Sequence, residues 1–239
     1  MFRIAQAMAI IATVVGGNSD SGSGTGRNAA KSGRGTGPAS RTLPADIHPE
    51  SGYRLPPPKP EDMDEKGQKI YDKLTGSRKR VLVGLRGPSA IRLHIPALAE
   101  KASALSQYLR YESGLSGPIR ELAILVTARE MDSNFEWAAH EPKALEEGIS
   151  PEVIDVIKYR LDVAGLPETE RVIIQFGRQL FGQKKVNSET FGRALAVFGP
   201  KQLVVLVSLM AHYASTATLL SAFDMQLGPN QKALLPPIK

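Results

Sequence analysis

The chain has 239 residues, is 42% hydrophobic and contains no cysteine, so it is long enough to bury a real core and is not disordered as a whole. The absence of cysteine excludes disulfides, zinc–thiolate sites, iron–sulfur clusters and thiol nucleophiles. Of the net charge of +6, residues 1–45 contribute five basic groups and one acid, while the other 194 residues carry 25 basic and 23 acidic groups; such a balanced body is not a nucleic-acid binder's, and no nucleic-acid partner is expected.

The chain opens MFRIAQAMAIIATVVGG. Arg3 is followed by an apolar run of twelve residues, Ile4 to Val15, and then by small residues. Residues 1–17 read as a secretory signal peptide, too short for a stable membrane anchor. Export to the periplasm or medium is the expectation; a cytoplasmic protein with a buried N-terminal helix is the alternative. Residues 18–59 read as a linker, Gly/Ser-rich and then Pro-rich in YRLPPPKPED.

From residue 60 to 239 the pattern is helical. Met63, Gly67, Ile70, Tyr71 and Leu74 recur at helix spacing until Gly76. VLVGLRGPSAIRLHIP, broken by glycine and proline, reads as a structured loop, with RVLVGL the single strand-like piece. Leu98, Ala102, Leu105 and Leu109 mark the next helix. Ser116 and Pro118 start another whose centre, Leu122 to Ala128, is apolar all round and so is predicted to be buried on most sides. Asp132 or Ser133 caps a further helix that Gly148 stops. Ser150-Pro151 begins the next, Glu168 to Gly182 forms one more, and Ser188 caps a helix ending at Gly199-Pro200. The long apolar segment 201–228 follows. About eight helices with short loops predict an all-α bundle.

One constellation carries chemistry. Glu136 and His140 are four residues apart and share a helix face, with Ser133 one turn earlier. Glu121 lies near the start of the preceding apolar helix. If the two helices fold back on each other, Glu121 meets His140, and a buried carboxylate needs such a partner. A His–carboxylate pair in an apolar setting is an acid/base device or a structural salt bridge. Pro142 is expected to kink the helix near His140. A metal site using Glu121, Glu136, His140 and His212 is a third reading, but no dense ligand motif supports it, and neither metal nor cofactor is expected. Arg86, Arg92 and His94 either grip an anionic substrate or are solvated loop charges. Trp137 is a packing residue or a pocket wall, and His212 is a core, interface or pocket residue.

The lines LSGPIRELAILVTAREMDSNFEWAAHEPKALEEGIS and LVVLVSLMAHYASTATLLSAFDMQLG resemble the carboxymuconolactone decarboxylase family, which includes alkylhydroperoxidase-D-like proteins. Peroxidase members carry Glu, eleven residues, Cys, two residues, Cys, three residues, His. Here the same frame reads Glu121, Ser133, Glu136, His140. The resemblance covers about residues 60 to 228 and implies a helical homo-oligomer, a trimer or hexamer, with its site between helices. The family's peroxidase chemistry has no thiol to run on here. Glu121 and His140 carry over as proton-handling groups, with Glu136 as a second carboxylate in a cysteine position. Ser133, Trp137, Arg86, Arg92, His94 and His212 are expected to contact substrate. The expected activity is decarboxylation or lactone/enol isomerisation of a small organic acid. The alternative is a non-catalytic binding or assembly protein that kept the fold.

Overall fold

A computed structural model describes residues 43–76, 86–228 and 231–237. The expected signal peptide, residues 18–42 of the expected linker and the strand-like residues 80–85 lie outside the described residues. The described residues are 67% helical, with eight α-helices and no strand among them.

Helix α1 spans Glu65–Gly76. It starts later than the apolar spacing suggests, because Asp64 accepts from the Gly67 N–H at 2.7 Å and caps it; a 3-10 turn, Pro60–Asp62, precedes it. Helix α2, Pro88–Arg92, occupies what reads as a loop: Gly87, at φ 89°, lets the chain turn into Pro88. Helix α3, Pro96–Gln107, runs directly into a π-helical turn, Tyr108–Glu112. Helices α4, Gly117–Glu130, and α5, Asn134–Glu146, follow, joined by a tight turn in which Asp132 takes φ 49°. Helix α6 spans Pro151–Lys158, with Ser150 accepting from Val153 N–H, and Gly148 at φ 87° ends the element before it. Helix α7, Glu168–Gly177, also passes into a π-helical turn, Arg178–Gln183. Helix α8 spans Ser188–Ala222 and is interrupted at Gly199, whose φ 65° and ψ 171° are not helical. Its cap is Asn187 rather than Ser188, since the Asn187 side chain accepts from Thr190 N–H at 2.8 Å. Helix α5 continues through Pro142 to Glu146.

The core is organised around α4. Every residue from Glu121 to Arg129 is buried, and the helix packs on α5, α6, α7 and α8. Leu122, Ile124, Leu125 and Val126 therefore each contribute about 1.5–3 kcal/mol of burial. Helix α7 approaches so closely that a methyl group added at Gly177 would overlap Val126. By length and composition α8 could cross a membrane, but Leu203, Leu206, Leu209, Met210 and Leu220 are buried in the protein's own core.

Residues 43–59 do not behave as the expected linker. Tyr53 is fully buried in a second cluster with Ala90, Ile91, Phe135, Leu220 and Met225. Arg54 N–H donates to Phe223 O at 3.0 Å, and Gln226 N–H donates to Gly52 O at 2.8 Å. A large aromatic side chain and two backbone bonds hold this stretch against the end of α8. At the other terminus, Leu235 N–H donates to Asn134 Oδ1 at 3.1 Å and Arg129 Nη1 donates to Pro236 O at 2.8 Å.

Candidate functional site

The α4–α5 turn folds the two helices together and places Glu121 against His140. Glu121 Oε2 lies 2.6 Å from His140 Nδ1, and each side chain is 1% exposed. The other carboxylate oxygen accepts from Arg120 Nε at 3.1 Å. Arg120 also donates to Glu147 Oε1 at 2.7 Å and to the carbonyl of Arg110 at 3.1 Å. Burial alone would raise the Glu121 pKa; the hydrogen bond and charge of His140 and the bond from Arg120 outweigh it and hold the carboxyl at about 2. With Glu121 ionised, Nδ1 of His140 carries the shared hydrogen, and a neutral ring presents its lone pair at Nε2.

Nε2 faces Glu136, whose Oε2 is 3.6 Å away. Burial pushes the Glu136 carboxyl up, against the lowering pull of His140, Arg92 and Arg110. Two carboxylates one imidazole apart are thus driven in opposite directions, one towards the anion and one towards the acid. Tyr213 of α8 closes the site with its ring edge-on to His140, centroids 5.2 Å apart. Burial raises its pKa, so its hydroxyl stays protonated. Its neighbour His212 is held down to about 4 by burial and by the Arg92 and Arg110 charges, which keeps it neutral.

A cavity of about 590 Å³ opens beside this pair. His140 and Glu136 line it, while Glu121 lies behind His140 and does not. Five cations, Lys73, Arg86, Arg92, Lys101 and Arg110, line it against the acids Glu100 and Glu136, and Ile70, Leu74 and Phe135 give it apolar wall. Arg92 Nη2 donates to Thr216 Oγ1 at 2.9 Å, which fixes α2 to α8.

Of the residues expected to contact substrate, Arg86, Arg92 and His212 line the cavity and three others do not. Ser133 is the buried N-cap residue of α5. Trp137 is fully buried in the main core, with Lys158 Nζ 5.8 Å from its ring centre. His94 is exposed and meets the Tyr53 hydroxyl at 3.1 Å. Arg110, Arg120 and Tyr213 are the residues that sequence reasoning passed over. Adjacent residues do not share a helix face, so nothing in the spacing pairs Arg120 with Glu121. Arg110 follows the inward Leu109 and on a regular helix would point elsewhere; the π-helical turn buries both. Among the described residues no group of three His, Asp or Glu side chains is arranged to hold a metal ion.

Comparison with known proteins agrees with this architecture. The model of the carboxymuconolactone decarboxylase family matches residues 96–175, which run from α3 into α7 and include Glu121, Glu136 and His140. No curated protein matches the chain. A peroxidase-related protein from Ralstonia eutropha JMP134, an alkylhydroperoxidase AhpD core, superposes with a TM-score of 0.59 at 17% identity, over 77% of this chain and 95% of its own. A single-residue variant of the debrominase Bmp8, solved in complex with 2,3,4-tribromopyrrole, superposes with a TM-score of 0.53 at 11% identity, over 72% of this chain and 90% of its own. At these identities the two structures speak for the fold. The family model matches a third of this cysteine-free chain, around the Glu121–His140 pair, and the two structures show that its fold is alkylhydroperoxidase-D-like.

Proposed function

We propose that the protein is a thiol-independent proton-transfer enzyme acting on a small organic acid, by decarboxylation or by lactone/enol isomerisation. The observation that carries this reading is the cavity, which reaches His140 and Glu136 on the side away from Glu121. A purely structural ion pair would be sealed on both sides.

In isomerisation, His140 Nε2 removes a proton from the carbon next to the substrate carbonyl. The electron pair moves onto the carbonyl oxygen as an enolate, and Glu121 stabilises the imidazolium through Nδ1. Glu136, kept towards its acid form by burial, returns a proton at the second carbon. In decarboxylation, the C–C bond to the carboxylate breaks, carbon dioxide leaves with neither electron of that bond, and the enolate is protonated by Glu136. The protonated Tyr213 hydroxyl and the cationic wall stabilise the negative charge that develops on the enolate oxygen. That an enzyme of related fold, the debrominase, binds a small ring compound is consistent with use of such a space.

The alternative reading, a binding or assembly protein, draws on the Arg120–Glu121–His140 network, which also ties α4 to α5. The two part on one experiment. Enol-lactones and β-keto acids incubated with the protein in D₂O are followed by proton NMR. Enzyme-dependent deuterium incorporation or loss of carbon dioxide, abolished in a folded His140→Gln variant, is the expected result. Equal rates for wild type and His140→Gln would remove the pair from any mechanism.

A further inference from the structure

We propose that Arg110 is the anion anchor of the cavity, its guanidinium holding the carboxylate of a small organic acid so that the adjoining carbon lies against His140 and Glu136. This rests on the proton-transfer reading for what the bound acid then undergoes, but not for its binding.

Arg110 is only 7% exposed, and its Nε is buried without a hydrogen-bond partner. Among the described residues its guanidinium makes no hydrogen bond; it stacks over the Tyr111 ring at 4.8 Å. The other cations of the wall are differently placed. Arg92 donates to Thr216, Lys73 lies 3.9 Å from Glu100, and Arg86 is less buried and lies beside Gly52. A buried guanidinium with unmet donors is costly unless an anion completes it. Glu121 and Glu136 both feel its charge, but the oxygens of Glu121 are already taken by His140 and Arg120. The planar fork of an arginine matches a carboxylate with two parallel hydrogen bonds.

Its position is fixed by the backbone. Arg110 sits in the π-helical turn Tyr108–Glu112, and its carbonyl accepts from Arg120 Nη1. The same Arg120 donates to Glu121, so one side chain ties the anchor's main chain to the acid/base pair. The uncharged His212 and Tyr213 complete the surroundings, which suits a monoanion.

The test is calorimetric titration of the full chain with sodium benzoate, and with benzamide as its uncharged counterpart, at constant ionic strength and pH 7. Saturable binding of benzoate with at least tenfold weaker benzamide binding is expected. Arg110→Met should weaken benzoate roughly tenfold to a hundredfold, the worth of a charged hydrogen-bonded contact. Arg110→Lys keeps the charge without the fork and should lose several-fold; it is the variant to read if the Met variant does not fold. Lys69→Gln, an exposed charge outside the cavity, should bind as wild type. No saturable benzoate binding, or equal affinity in wild type and the Arg110 variants, would overturn the proposal. Intact benzoate binding with no deuterium exchange would instead overturn the catalytic reading and leave the anchor standing.

Discussion

Replacing His140 by alanine should cost the fold about 3 kcal/mol at neutral pH, and the cost should shrink in acid. Glu121 is held at about 2 against an ordinary value of 4.5, with its side chain 1% exposed. A depression of that size corresponds to about 3 kcal/mol, in the range seen when a buried pair loses one partner. Because the folded pKa is lowered, this stability is fully present above the unfolded value, near 4.5, and is lost as pH falls through the folded value near 2. The gap between wild type and His140→Ala should therefore narrow to about 1 kcal/mol at pH 3. Arg120 still holds one oxygen of Glu121 in the variant, so about 3 kcal/mol is an upper figure for the histidine's share. Urea unfolding of both proteins at pH 7, 5 and 3 measures the gap, and a double-mutant cycle with Glu121→Gln isolates the coupling. A gap that stays constant across this range, or a coupling under about 0.5 kcal/mol, would show that the pair does not set the ionisation of Glu121.

Other outcomes follow from packing and composition. Gly177→Ala should destabilise by about 1–3 kcal/mol through overlap with Val126, and Val126→Ala in the same chain should recover part of the lost melting temperature; an unaffected single variant would contradict the close approach of α7 to α4. Tyr53→Ala should cost about 3–5 kcal/mol by chemical unfolding, whereas deletion of residues 1–42 should leave the melting temperature nearly unchanged; the reverse order would place the domain boundary elsewhere. A chain without cysteine should show no thiol-dependent peroxide reduction, checked by peroxide consumption with a dithiol reductant present.

Much of the scaffold was legible because its signals are local. The apolar run Leu122 to Ala128 predicts a helix buried on most sides, and the centre of α4, Glu121 to Arg129, is buried throughout. Gly148 and Ser150 predict a stop and a start, and their φ angle and cap bond supply both. The meeting of Glu121 with His140 follows from a short turn between two helices. Signals that depend on distant packing were lost. Tyr53 sits in a proline-rich stretch and is held by residues from α2, α5 and the end of α8. Arg110 turns inward because a π-helical turn shifts the helix phase, and no 3.6-residue pattern encodes that shift. Helix α2 is a five-residue element between breakers, too short for a periodic signal. Trp137 shares a helix with His140 but faces the core instead of the cavity.

The C-terminal residues have a reach beyond their place in the chain. Leu235 and Pro236 bond to Asn134 and Arg129, and Arg129 also holds Asp132 at 3.2 Å, so the tail grips both sides of the turn that launches α5. Glu136 and His140 stand on the first two turns of that helix. A tag, fusion or truncation at this end therefore acts on the bearing of α5 although it touches no wall of the cavity.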